Sequence, residues 1–271
     1  MTATTDPKDL VTRLQGARVI DLAQPLHADM PQPPGLPRFS MAMLRRHGDV
    51  MRGDGYSAAH DLLVTLNHAG THIDAIGHVS VYGQLHGGVS ADEIQRGTNG
   101  LGDFGIQSMP PIVRRGVLAD VAAHVGVAAL EPAFGIDGAL LAATLEAQDR
   151  ILQPGDVLLV RTGWGQLWSE PDRYLGRGQG LPGVDADGAA WIAQRGVLAT
   201  GADCLMYEKF DPRENVLPVH SRLLQQEGIA LIENLDLEEL ATATATEFAV
   251  VVLPLKLVGG TGSQVRPIAL V

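Results

Sequence analysis

Between residues 137 and 235 the chain switches repeatedly between a helical and an extended hydrophobic period, and no other feature limits its fold as tightly. "DGALLAATLEAQ" (137–148) has the apolar spacing of a helix, with Asp137 placed to cap it. "GDVLLVRTGW" (155–164) follows as an apolar run of strand length. "DADGAAWIAQRG" (185–196) reads as a helix closed by Gly196, and "VLATGAD" (197–203) as a strand. "PVHSRLLQQEG" (218–228) gives a helix with Pro218 in its first turn, and "IALIENL" (229–235) a further strand. Alternation of this kind belongs to α/β layering. The rest of the chain is richer in strands: "ARVIDL" (17–22), "RFSMAMLRRHG" (38–48), "YSAAHDLLVTLNHAGTHID" (56–74) as a strand running into a histidine cluster, then "EFAVVVLPLKL" (247–257) and "VRPIALV" (265–271). The expectation is an α/β fold on a mixed sheet. No repeat or interdomain linker interrupts it, so residues 17–271 are expected to form one domain behind an N-terminal arm, residues 1–16.

Composition removes several function classes. A formal charge of −11 with no local basic cluster argues against gripping nucleic acid by its phosphates. The single cysteine, Cys204, allows no disulfide within the chain and suits a reducing cytoplasm. The first 22 residues lack the basic start and apolar stretch of a secretory signal. The longest apolar run, near "FAVVVLPLKLV", is too short to span a bilayer. A cytoplasmic protein acting on a small molecule, with no nucleic-acid or membrane partner, is expected.

Chemistry gathers in one place, "LNHAGTHIDAIGH" (66–78), with three histidines and an aspartate. Side chains alternate faces along extended chain, so His72 and Asp74 point the same way. His68 joins them if the chain bends, and Gly70 permits the bend. Two imidazoles and a carboxylate suit Zn²⁺ or Mn²⁺, and three protein ligands leave a coordination position open, as catalytic sites do. His78 is then the candidate general acid/base, and Thr71 a candidate for orienting a ligand. The plain alternative, histidines serving only structure, is ordinary for an isolated residue and strained for four groups at this spacing. His27, His47, His60 and His124 have no such partners and read as structural, as does His86 after a turn.

These residues resemble the His-x-Gly-Thr-His-x-Asp-x-x-x-His signature of the cyclase family, which includes kynurenine formamidase and isatin hydrolase. "GDVLLVRTGWG" (155–165), "GAD" (201–203), "PVH" (218–220), "IENL" (232–235) and "PLKLVGGTGSQVRPIAL" (254–270) resemble the longer-chain branch of the same family. The resemblance implies a swivelling β/β/α-type domain, with His68, His72 and Asp74 on one divalent metal and His78 as acid/base. It also implies a second metal at His220 and Glu233, bridged by Asp74. One or two ions per chain, Zn²⁺ or Mn²⁺, are thus expected, in a homodimer or homotetramer. The implied reaction is hydrolysis of a C–N (amide, lactam, formamide) or ester/lactone bond. A metal-dependent lyase or cyclase acting on a carbonyl compound, or a non-catalytic metal-binding protein, are the alternatives. Two departures stand out: Ile76 replaces the proline many members carry before the last histidine, and the loop "PLHADMPQPPG" lacks the tryptophan typical of kynurenine formamidases.

Weaker candidates complete the reading. Arg161 and Trp164, at the end of a predicted strand, are candidates for the wall of a substrate cleft, Arg161 meeting a substrate carboxylate. The alternative for Arg161 is pairing with Asp156 or another acid. "GGTGS" (259–263) reads as a tight loop near the site, Cys204 as a buried core residue, and "ENLDLEELATATATE" (233–247) as a solvated acidic segment.

Overall fold

A computed structural model describes residues 6–95, 100–214 and 216–271. Its thirteen strands, in chain order, are β1 (Val19–Asp21), β2 (Ser40–Arg45), β3 (His60–Val64), β4 (His72–Asp74), β5 (Ile112–Asp120), β6 (Gly135–Ile136) and β7 (Val157–Arg161). They continue with β8 (Gly183–Val184), β9 (Ala199–Ala202), β10 (Ala230–Glu233), β11 (Glu247–Val252), β12 (Gly262–Gln264) and β13 (Ile268–Leu270). Nine of them form one mixed sheet in the order β1-β13-β11-β5-β7-β9-β10-β4-β12. Its centre, β5-β7-β9-β10, is parallel. The remaining neighbours pair antiparallel.

The parallel centre is the alternation seen in the sequence. Helices Gly138–Ala147 and Ala186–Ala193 cross between β5, β7 and β9, with Asp137 Oδ1 accepting from Leu140 N at 2.7 Å and Asp185 Oδ1 from Gly188 N at 2.9 Å. A turn of helix at Pro218–His220 continues as a wide π-type helix over Ser221–Glu227 and leads into β10. Strand β7 shows why "VLLV" (157–160) is apolar throughout. Leu158 and Val160 meet the helices' Leu141, Leu145, Ile192 and Leu223, while Val157 and Leu159 face a second apolar layer. Both faces are covered, as parallel strands require, and each such side chain contributes roughly 1.5–3 kcal/mol by leaving water. The second layer unites Ile20 of β1 with Ile73 of β4, from opposite ends of the strand order, so the sheet curls over it.

Three expectations are corrected. The run 56–74 is not one strand: β3 ends at Val64 and β4 begins only at His72, because Ala69 N bonds back to Leu66 O and Gly70 takes a left-handed φ of 66°. Strands β2 and β3 form a separate hairpin whose residues are all exposed, despite their apolar alternation. The acidic stretch 233–247 is only partly solvated: Leu235, Leu237 and Leu240 are fully buried, the last on a short helix Glu238–Thr242. Helix Pro7–Gly16, within the expected arm, buries no residue. Among the described residues no helix is long and apolar enough to cross a membrane.

Candidate metal centre

The centre forms where β4 runs antiparallel beside β10, a register that sets His72 opposite Glu233. Glu233 stands at the carboxyl end of a parallel strand, where α/β sheets gather functional groups. Asp74 follows His72 on the same face of β4, as the alternation of an extended chain requires. The Gly70 turn brings back His68, whose Nδ1 lies 2.8 Å from Asp74 Oδ1. His72 Nε2 lies 3.6 Å from that oxygen and 3.3 Å from Glu233 Oε2. His220, at the start of its helix, points Nε2 at Glu233 Oε1 (3.2 Å) and Asp74 Oδ2 (3.9 Å). A short turn at Ile76–His78 presents His78, its ring stacked on His68 at 4.1 Å. Ile76 does not prevent this turn: it packs against both apolar layers while His78 N bonds to Ala75 O.

Atoms that could ligate fall into two groups that share Asp74: His68–Asp74–His78 and Asp74–His220–Glu233, each within 4.8 Å; His72, expected beside His68 and Asp74, is in neither, and His78, expected as acid/base, is in the first. The decisive detail is Asp74 itself. It is 1% exposed; Oδ2 has no hydrogen-bond partner among the described residues, and Oδ1 has at hand only His68 Nδ1, 2.8 Å away. A buried carboxylate so sparsely supplied with donors costs several kcal/mol unless a cation meets it. The surrounding imidazoles and Glu233 form a mixed N/O donor set suited to a divalent metal, so the residues fit an ion.

Each donor is held from behind. His72 Nδ1 donates to Gly70 O at 2.8 Å, which leaves Nε2 as the free lone pair. His68 Nε2 meets Thr261 Oγ1 at 2.9 Å, so the "GGTGS" stretch does border the site. His220 Nδ1 bonds Glu208, a fully buried acid that also accepts from Val219 N and His220 N at 3.0 Å each. Tyr207 N donates to Glu233 Oε1 at 2.8 Å. Thr71 donates to Asn234 O at 2.6 Å and accepts from Gln24 N. Glu208, Asn234 and Thr261 were not among the sequence candidates, although "IENL" and "GGTGS" contain the last two; their contacts with the histidines depend on how separate segments meet.

Electrostatics follow the crowding. Burial alone would discharge His72, but Glu233 and Asp74 outweigh it and raise its pKa. His220 behaves likewise, raised well above 6.5 against its burial by Glu208 and Glu233. Burial opposes ionisation of both acids, yet His68 holds Asp74 low and His220 with His72 hold Glu233 low. His78 moves the other way. Enclosure by protein and the neighbouring His68 and His220 push its pKa down, against Asp74, although the residue keeps an exposed edge.

The weaker candidates lie elsewhere. Arg161 is 8% exposed and commits Nε and Nη2 to Glu238 and Nη1 to Asp120, at 2.8–2.9 Å. Its guanidinium has no fork left for a substrate carboxylate; the partner is not Asp156, which binds Arg115. Trp164 is 5% exposed inside an apolar cluster, its Nε1 donating to Tyr174 O, and lines no cleft. Cys204 is fully buried, its thiol pKa raised by burial. His86 Nδ1 donates to Gln225 O.

The cyclase family model, described as "Putative cyclase", matches residues 20–209, the larger part of the chain. The chain belongs to the cyclase family. The matched span contains His68, His72, Asp74 and His78, while His220 and Glu233 lie beyond it and enter through the fold. A solved structure of a novel cyclase superposes with a TM-score of 0.85 at 26% identity, covering 98% of this chain and 93% of its own. Isatin hydrolase A from Ralstonia solanacearum gives 0.75 at 23% identity over the whole of both chains. Isatin hydrolase A from Labrenzia aggregata gives 0.74 at 22%, over 97% of this chain and 98% of its own. The last two share the cyclase-family fold. No curated protein matches the sequence.

Proposed function

We propose that this cyclase-family chain is a metal-dependent hydrolase that opens a C–N or ester bond of a small molecule: an amide, lactam, formamide or lactone. The observation that carries the reading is the buried Asp74 carboxylate, sparsely supplied with donors and ringed by His68, His72, His220 and Glu233. His68, His72 and Asp74 would hold one Zn²⁺ or Mn²⁺, and Asp74, His220 and Glu233 a second. When bound, the metal acidifies water and polarises a carbonyl. His78 supplies the remaining need. Its lowered pKa keeps the ring neutral at pH 7, ready to take a proton and return it to the leaving nitrogen or oxygen. Its exposed edge leaves room for a substrate beside the cluster. The shared fold with isatin hydrolases, which act on isatin, a cyclic amide, favours the lactam class.

His78→Ala is expected to keep Zn²⁺ bound by elemental analysis but to lose at least a hundredfold in kcat on any responsive lactam, lactone or N-formyl compound. His72→Ala is expected to lose both metal and turnover. Full activity in metal-stripped protein, or equal metal loss in the two variants, overturns the assignment.

A second copy of the chain is the proposed macromolecular partner, in a homodimer or homotetramer within the cytoplasm. Hairpin β2–β3 leaves Met41, Met43, Leu44, Leu62, Leu63 and Val64 each about half exposed or more. A two-stranded ribbon without cover is marginal in water, and an apolar patch of this extent marks an interface. Residues 38–64 hold four arginines and three aspartates, a net positive arm on a chain of charge −11, so the acidic body of another copy complements it.

A further inference from the structure

Asn234 follows Glu233 directly, is 1% exposed and adopts a left-handed φ of 56°. Asparagine tolerates that region better than most residues, but a buried example needs every polar atom paired. Its N–H donates to Cys204 O at 2.9 Å, and two of the other three pairs reach the turn that carries His72. Its Nδ2 donates to Gly70 O at 3.0 Å, its backbone oxygen accepts from Thr71 at 2.6 Å, and its Oδ1 accepts the Tyr174 hydroxyl at 2.8 Å. Tyr174 is fully buried, lies edge-on to Trp168, and accepts Trp164 Nε1 on its carbonyl, so it is firmly seated.

Gly70 O therefore receives two donors, Asn234 Nδ2 and His72 Nδ1. A carbonyl only accepts, so His72 Nδ1 carries a proton and Nε2, which faces Asp74 and Glu233, is the atom left to ligate once any proton on it is shed. The 3.4 Å between Asn234 Nδ2 and His72 Nδ1 is then two donors converging on one oxygen. With the amide reversed, Asn234 Oδ1 would face Gly70 O and repel it. It would also offer His72 Nδ1 a second acceptor, freeing the ring to rotate. The Tyr174 O–H donates to Oδ1 at 2.8 Å, its alternative acceptor Asp203 O being more distant at 3.4 Å, and a reversed amide would give up the shorter bond.

We infer that Tyr174 and Asn234 are positioning residues: the phenol fixes the Asn234 amide, the amide fixes the Gly70 carbonyl, and the carbonyl holds the His72 imidazole in its ligating tautomer and direction. The inference rests on His72 being a metal ligand, as proposed above. Neither residue touches the metal or the reacting atoms.

Zn²⁺ affinity, measured by competition with a chromophoric chelator, tests it without reference to turnover. Tyr174→Phe keeps the ring and removes only the hydroxyl, and is expected to weaken Zn²⁺ binding 10- to 100-fold, as loss of a partner behind a ligand does. Asn234→Gly, which keeps the left-handed backbone, should weaken it at least as much; Asn234→Asp replaces it if the glycine variant does not fold. The double variant should bind no more weakly than the Asn234 variant alone, because the hydroxyl acts through the amide. Thr144→Val removes another buried hydroxyl, bonded to Leu140 O at 2.8 Å away from the centre, and should lower thermal stability while leaving Zn²⁺ affinity unchanged. Tyr174→Phe binding Zn²⁺ within twofold of wild type, or losses that add in the double variant, overturns the inference. Wild-type protein that binds no Zn²⁺ instead overturns the proposed function.

Discussion

Metal affinity is expected to climb steeply with pH, and the slope follows from the charges packed at the centre. His72 and His220 both have raised pKa values, because the surrounding carboxylates stabilise their protonated forms against the cost of burial. An imidazole must shed its proton before it can ligate, so each of the two ions, one taking His72 and the other His220, releases up to one of these protons on binding. The logarithm of each Zn²⁺ association constant should then rise by up to about 1 per pH unit, tenfold, or about 1.4 kcal/mol. The rise flattens once pH exceeds the raised values. Chelator competition between pH 5.5 and 8 reads the slope directly, and a slope below about 0.5 across that range would refute the assignment of these two rings as ligands. The metal-free protein should show the complementary trend. The two histidines stabilise it fully below their ordinary value of 6.5 and lose that contribution as pH rises through their higher folded values. Asp74 and Glu233, held low, contribute above their ordinary values of 3.8 and 4.5 and lose it as pH falls through the lower folded ones. Thermal melts should therefore place the metal-free optimum between about 4.5 and 6.5 as far as this cluster decides it, and zinc should move it upward.

Three further outcomes are expected. Arg161→Met should cost about 3 kcal/mol in urea melts, since it strands Asp120 and Glu238, while leaving KM for any substrate unchanged; a raised KM would restore its substrate role. Gly70→Ala should cost roughly 1–2 kcal/mol in backbone strain and also weaken Zn²⁺ binding, because its Cβ would lie 2.1 Å from Leu26 Cδ2 and the turn must shift. Gly35→Ala, at φ 81° with open space around it, should show the strain alone; equal Zn²⁺ affinity in both variants would contradict the reading. Leu44→Asp with Leu62→Asp should reduce the mass seen by light scattering to that of a monomer, and an unchanged mass would remove hairpin β2–β3 from the interface.

The parallel centre was legible in the sequence because its strands are buried on both faces and its helices carry local caps: Asp137, Asp185 and Pro218 signal within a few residues. The four groups of 68–78 were legible for the same reason, since spacing and one permissive glycine bring them together. What escaped depends on register between distant segments. The partner of Arg161 is set by β5 lying beside β7, which places Asp120 opposite it, rather than by the nearer Asp156. Glu208 reaches His220 only through the path of the loop between β9 and the following helix. The stretch 56–74 misled because apolar alternation marks a strand without saying whether anything covers it, and β3 proves to be exposed throughout.

The pairing of β4 with β10 carries an implication for how the molecule is made. His72 and Asn234 stand 162 positions apart, and His72 faces Glu233 only after the intervening strands have settled. A growing polypeptide emerging from a ribosome would have nearly its whole length exposed before these donors could meet. Contacts so distant along the chain form late and slowly. An ion shared by Asp74, His220 and Glu233 would thus be captured as a finishing step on a completed scaffold, not as the nucleus around which that scaffold assembles.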